Sequence, residues 1–195
     1  MLAITPGALV VEYLVFHSTA RPPARRGNRL DPLIAAVKIG GVQTGTEAEV
    51  LKLMLDFQRW EMVRLASGLT EDQGRWRPHA EANSIAELIS HLSWVERWWF
   101  DSVFAGGTVD LSADPQWPGF VAAGHQPLHD LIASYGVACQ RSDEVWVGAN
   151  LDDEVATEQG PTSLRFIVLH MIEETARHAG HADITRQMID GYRAS

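Results

Sequence analysis

The residues best suited to chemistry lie near the C-terminus of the sequence. His170, Glu174 and His178 follow one another at intervals of four residues, and His181 comes three residues after His178. On a helix, side chains spaced by three or four residues lie along one side. Imidazole and carboxylate groups placed in this way are able to hold a divalent metal or to pair with each other as ions.

His91 is a candidate partner for this C-terminal group. It lies between Leu88 and Leu92 in an apolar stripe, which predicts that its side chain faces the core. With Glu174 and His178 it supplies two imidazoles and one carboxylate, a common ligand set for catalytic Zn²⁺ or another divalent ion. The spacing alone leaves a second interpretation open, in which Glu174 and a protonated His178 form a buried ion pair without metal.

The composition of the chain restricts the kind of site it is able to build. The 195 residues include eight histidines and a single cysteine, Cys139, whose helical phase predicts a core position. A disulfide framework and a thiolate-rich zinc or iron–sulfur site are therefore excluded. The formal net charge of −9 argues against nucleic acid and anionic membranes as partners. We expect a small-molecule substrate and a cytoplasmic location.

Four helical segments are predicted to position these residues, at about 47–67, 84–104, 127–147 and 163–190. Ser/Thr residues followed three positions later by Glu mark the first two starts, at Thr44 or Thr46 and at Ser84. Strand-type alternation of useful length is absent from the pattern, so we predict an all-α fold. Four long helices indicate a four-helix bundle. The connection at 106–126 is long enough to make the second and third helices parallel.

The apolar residues of each helix predict which side is buried. In the first helix they are Val50, Leu53, Met54, Phe57 and Val63. In the second they are Ile85, Leu88, Ile89, Leu92 and Val95. In the fourth, the side that carries Glu174 is predicted to carry Ile167, Met171, Ile184 and Met188.

The chain is predicted to divide into two parts of different character. Residues 21–29 are basic and interrupted by prolines, with no packing pattern. We therefore expect residues 1–43 to be an N-terminal extension, loosely packed or disordered. It is either a genuine arm or upstream sequence read in frame. Residues 44–195 are expected to form the bundle.

With these residues in view, the sequence resembles the DinB-like superfamily, and especially the actinobacterial branch related to mycothiol-dependent maleylpyruvate isomerase. The resemblance covers about residues 47–191. It rests on the segments LDFQR (55–59), GLTEDQ (68–73), WRP (76–78), residues 84–92, VERWWF (95–100) and EETARHAGH (173–181). The resemblance implies a four-helix bundle in up-down-down-up order and a homodimer.

The resemblance also implies a set of metal ligands. Members of the family hold a metal with a His on the second helix and two ligands four apart on the fourth, and the isomerase branch has Glu first in that pair. The matching positions here are His91, Glu174 and His178. The implied cofactors are a divalent ion, Zn²⁺ with Ni, Mn or Fe as alternatives, and a low-molecular-weight thiol such as mycothiol. His181 lies outside the triad. It is a candidate general base, or a candidate for a residue that contacts one of the ligands without binding the metal.

Three functions are compatible with these observations. The leading hypothesis is a metal-dependent, thiol-dependent S-transferase or isomerase that acts on a small electrophile. The second is a non-catalytic, metal-binding protein related to stress responses. The third is a metal-free helical dimer in which the triad is only a buried polar network.

Two further groups are candidates for shaping a pocket. The aromatic residues Trp94, Trp98, Trp99 and Phe100 on the second helix either line a pocket or pack in the core and at a dimer face. Arg97 and Arg177 are candidate anion clamps, with surface ion pairing as the favoured prediction for both.

Overall fold

A computed structural model describes residues 44–108, 122–124 and 126–192. The predicted N-terminal extension at 1–43 and most of the connection at 106–126 lie outside the described residues, so the predictions about them remain predictions. None of the helices in the described part of the chain is long and apolar enough to span a membrane.

Most of the described residues are helical, which agrees with the predicted all-α class. The helices are α1 (Glu47–Ala66), α2 (Glu71–Arg75), α3 (Ile85–Glu96), α4 (Leu128–Trp146) and α5 (Leu164–Asp190). A π-helical segment, Arg97–Phe104, continues α3, and a 3₁₀ turn at Ala122–Gly124 precedes α4. The start of α1 is set by a capping box at Thr46, and that of α3 by one at Ser84. These boundaries agree with the predicted ranges to within one or two residues.

A short antiparallel hairpin, which the sequence pattern did not predict, precedes α5. Strands β1 (Glu154–Thr157) and β2 (Gly160–Ser163) pair with Glu154 opposite Ser163 and Thr157 opposite Gly160. Each strand has only four residues, too few for the alternation of side chains to be recognised in the sequence. Gly160 has a φ of 117°, a conformation that favours glycine and lets the hairpin turn.

The packing of the long helices places α3 beside each of the others. The closest partners are α1 with α5 and α3 with α4, and α3 also contacts α1 and α5. The predicted apolar stripe of α3 is confirmed, because Ile85, Leu88, Ile89, Leu92 and Val95 are all buried. This burial fixes the rotation of α3 about its axis and therefore the direction in which His91 points.

The predicted apolar face of α1 is confirmed only in part. Val63 is buried and Leu53 and Phe57 are half-buried, but Val50 and Met54 are exposed. The buried residues of the helix are Leu55, Arg59, Met62, Val63, Leu65 and Ala66. The helix carries apolar residues on more than one side, and its most deeply buried polar residue is an arginine. Hydrophobic periodicity therefore identified only part of the buried side of this helix.

The end of α5 also departs from the prediction. Ile167 and Met171 are fully buried as expected, but Ile184 and Met188 are exposed. Ile184 comes 13 residues after Met171 and, at about 100° per residue, lies roughly 220° around the helix from it. The four-residue spacing holds within each pair, 167 with 171 and 184 with 188, but the two pairs lie on different sides of this 27-residue helix.

A buried ion pair connects three of the helices. Arg59 of α1 binds both carboxylate oxygens of Glu96 in α3, with N···O distances of 2.7 Å each, and also binds Asp143 of α4 at 2.9 Å. The side chains of Arg59 and Glu96 are completely shielded from solvent. Because each charge has an opposite partner, the pair is compatible with burial, and it ties α3 to its neighbours.

Candidate metal centre

The structure brings together His91 of α3 with Glu174 and His178 of α5. Glu174 and His178 are four residues apart and therefore lie one above the other on the side of α5 that faces α3. The buried stripe of α3 turns His91 toward the same space. Each of the three side chains keeps only 11–14% of its surface exposed.

The three side chains approach one another through one carboxylate oxygen and two imidazole nitrogens. Oε1 of Glu174 lies 3.0 Å from Nε2 of His178 and 3.2 Å from Nε2 of His91. The two imidazole rings meet edge to face, with centroids 5.0 Å apart. One donor atom from each residue lies within 4.8 Å of both others, the only such group of three in the part of the chain that the structure describes.

The carboxylate at the centre of the group is held in its ionised form. Hydrogen bonds from His178 and then from His91 lower the pKa of Glu174 far below its usual value, although burial acts in the opposite direction. A carboxylate ligand also binds a cation in its ionised form.

The donor set fits a divalent metal. Zinc bonds of about 2.0–2.1 Å in a tetrahedron separate neighbouring donor atoms by about 3.3–3.4 Å. The two pairs that include Glu174 are close to this separation, at 3.0 and 3.2 Å, and the two imidazole nitrogens lie within 4.8 Å of each other. Nδ1 of His178 is buried and has no hydrogen-bond partner among the described residues. The polar contacts of this ring are therefore made through Nε2, the atom that faces Glu174.

The second oxygen of Glu174 has a different partner. Oε2 accepts a hydrogen bond from Nη1 of Arg177 at 2.8 Å, and Nη2 of Arg177 pairs with Glu173. Arg177 therefore makes ion pairs on the surface of α5, in agreement with the favoured prediction. One of these pairs reaches the candidate metal centre, which the sequence did not indicate.

The other histidines of α5 lie outside the group of three. His181 is exposed and its ring lies 5.8 Å from that of His178, so it stands at the edge of the group. His170 lies one turn before Glu174 and packs against the rings of Trp99 and Phe166, with centroids 4.9 and 6.2 Å away.

The predicted aromatic cluster is divided among different environments. Phe100 is fully buried in the core, and Trp94 stacks on Trp98 with centroids 5.4 Å apart. Trp99 turns toward α5, since it lies in the π-helical segment, whose wider turn changes the direction of side chains relative to an α-helix.

A separate groove of about 840 Å³ lies between α3, its π-helical continuation and α4. Trp94, Arg97 and Arg141 are among its lining residues, whereas none of the three candidate ligands is. Arg97 is exposed in this groove, and Glu174 is not one of the groove's lining residues.

Cys139 is predicted to be chemically inert in the folded protein. It is 1% exposed, and burial raises the pKa of its thiol well above the usual value. Each unit of increase in a thiol pKa lowers the thiolate fraction at neutral pH about tenfold, so we expect reaction with a disulfide reagent at least roughly tenfold slower than in unfolded protein. Release of the chromophore from the reagent, with and without denaturant, measures this. Equal rates in both conditions would contradict the prediction.

Comparison with known proteins identifies similar sequences and structures. Residues 50–191 match the sequence model of a family described as mycothiol-S-transferase, and this range contains all three candidate ligands. No curated protein matches the chain. A crystal structure of a conserved protein from Enterococcus faecalis is similar in fold, with a TM-score of 0.57 and 14% sequence identity. The alignment covers 76% of this chain and all of that one.

Proposed function

The chain belongs to the mycothiol-S-transferase family, and from this premise we propose that it transfers a low-molecular-weight thiol, mycothiol or a close analogue, to a small electrophile. The observation that carries the proposal is the convergence of His91, Glu174 and His178, whose donor atoms lie within 4.8 Å of one another. We propose these three residues as the ligands of a divalent ion, with zinc as the first candidate and nickel, manganese or iron as alternatives.

The arrangement suits the activation of a thiol. A divalent metal held by this set would lower the pKa of a coordinated thiol, so that the reactive thiolate forms at neutral pH. The proposed ligand set has two imidazole nitrogens and one carboxylate oxygen, which leaves coordination positions open for an added ligand. Because the three side chains are 11–14% exposed, a small molecule is able to approach them from solvent.

The proposed reaction is a substitution at carbon. The thiolate sulfur forms a bond to the electrophilic carbon, and the leaving group departs with the electron pair of the bond that breaks. The thiol proton must leave before this attack. His181 is the proposed base for that proton, since it is exposed and its ring lies beside that of His178.

Three finer features remain part of the proposal. From the DinB-like resemblance we propose that α1, α3, α4 and α5 form a four-helix bundle in up-down-down-up order and that two chains form a homodimer. We also propose a cytoplasmic location. Light scattering on a size-exclusion column tests the dimer, and a mass of one chain, 21.6 kDa, would contradict it.

A conjugation assay tests the proposed activity. Protein purified without a His-tag and loaded with Zn²⁺ is mixed with an alkyl or aryl halide and with mycothiol, bacillithiol or glutathione in parallel. We expect consumption of mycothiol and formation of the thioether, identified by mass, at a rate well above the reaction without protein. Protein stripped with a chelator should lose this rate and recover it when Zn²⁺ is returned. Rates at background with every thiol would contradict transferase activity and favour the non-catalytic metal-binding alternative.

A further inference from the structure

Arg177 holds one oxygen of the central carboxylate in place. Its Nη1 donates to Oε2 of Glu174 at 2.8 Å, and its Nη2 pairs with Glu173 on the outer surface of α5. The guanidinium group is thus fixed by two acidic neighbours on its own helix, three and four residues before it. An arginine with two such contacts has a defined orientation, because the guanidinium is planar and its donors point in fixed directions.

This contact divides the two oxygens of Glu174 between different partners. Oε1 lies within 3.2 Å of both imidazole nitrogens, whereas Oε2 accepts a hydrogen bond from Arg177. A carboxylate is able to bind a metal through one oxygen or through both. When the second oxygen is engaged by a cationic donor, binding through the first oxygen alone is favoured.

We propose that Arg177 is a positioning residue that keeps Glu174 a one-oxygen ligand. The proposal rests on the metal site in the proposed function. Its consequence is that a coordination position, which a second carboxylate oxygen would otherwise occupy, stays open for the incoming thiol. The residue acts through Glu174 and makes no contact of its own with the metal or the thiol.

The matched control for Arg177 is Arg141 of α4. Arg141 also pairs with a glutamate three residues away, Glu144, and with a second acid, Asp101. The two arginines are similarly exposed, at 52% for Arg177 and 59% for Arg141. Replacement of Arg141 therefore removes the same kind of surface ion pair without touching a candidate ligand.

The experiment is a titration of metal-free protein with Co²⁺, followed by visible absorption. It compares the unmodified chain with Arg177→Ala, Arg177→Lys and Arg141→Ala, after circular dichroism has verified that each is folded. Loss of a group that hydrogen-bonds a metal ligand typically weakens metal binding about 10- to 100-fold, and we expect this increase in Kd for Arg177→Ala. We also expect weaker visible bands, because a second oxygen raises the coordination number of the cobalt. Arg177→Lys should recover part of both effects, and Arg141→Ala should match the unmodified chain.

The possible outcomes separate this inference from the proposed function. If Arg177→Ala binds Co²⁺ like Arg141→Ala, Arg177 has no positioning role. Weaker binding with an unchanged spectrum would overturn the one-oxygen assignment, since loss of the hydrogen bond to Glu174 alone would then account for the affinity. If the unmodified chain binds no Co²⁺, both the metal site and this inference fail. If the expected changes occur in a chain that conjugates no thiol, the inference holds and the proposed transferase activity fails.

Discussion

Replacement of His178 by alanine is expected to abolish high-affinity metal binding and to lower kcat/KM for thiol conjugation by about 10³-fold. His178 makes the shorter of the two imidazole contacts with Glu174, 3.0 Å against 3.2 Å for His91. Without it only one imidazole and one carboxylate remain, too few protein ligands for a catalytic zinc site. A metal in this role supplies several kcal/mol of stabilisation, and each 1.36 kcal/mol corresponds to a factor of ten in rate.

The measurement combines steady-state kinetics with metal analysis of the same samples. His129→Ala is the control, because His129 is a histidine of α4 that is 79% exposed and pairs only with Asp130 among the contacts of the described residues. It should keep both the metal and the rate. A His178→Ala protein whose kcat/KM stays within about twofold of the unmodified chain would remove the catalytic role of the metal.

The second large effect concerns stability. Glu96→Ala is expected to lower the free energy of unfolding by about 3–5 kcal/mol, because it leaves the fully buried Arg59 guanidinium without its two-oxygen partner. Asp143 and Asp56 stay within reach of Arg59 Nη1, but neither contacts its Nε. Urea unfolding of metal-free protein, followed by circular dichroism, gives the change.

Two comparisons make this stability prediction specific. Glu144→Ala removes an exposed ion pair with Arg141 and should cost less than about 1 kcal/mol. The double variant Arg59→Met with Glu96→Leu should recover most of the loss, since no unpaired buried charge remains. If Glu96→Ala does not fold, Glu96→Gln takes its place, because it also removes the negative charge. A loss no larger than that of Glu144→Ala would contradict the account of the core.

The sequence indicated the helices and the group of three residues for a clear physical reason. Capping boxes at Thr46 and Ser84 mark helix starts through local hydrogen bonds, which depend on neighbours only a few residues away. The stripe of α3 is regular and all apolar, so it predicted the direction of His91. The four-residue interval between Glu174 and His178 placed both on one side of α5.

Other features depend on contacts that no local pattern contains. The partners of Arg59 lie 37 and 84 residues away, at Glu96 and Asp143, so its burial could not be inferred from α1 alone. Because a charged residue occupies part of the buried side of α1, the apolar pattern identified that side only in part. In the same way, the direction of Trp99 depends on a π-helical segment, which the helical pattern of the sequence did not indicate.

The metal content of the protein tests the central claim most directly. The protein is purified without a His-tag, and bound metals are measured by mass spectrometry before and after incubation with Zn²⁺, Ni²⁺ or Mn²⁺ and removal of excess ion. We expect about one divalent ion per chain in the unmodified protein and loss of that ion in His178→Ala. Less than about 0.2 ion per chain, with no uptake of any added metal, would show that His91, Glu174 and His178 form only a buried polar network.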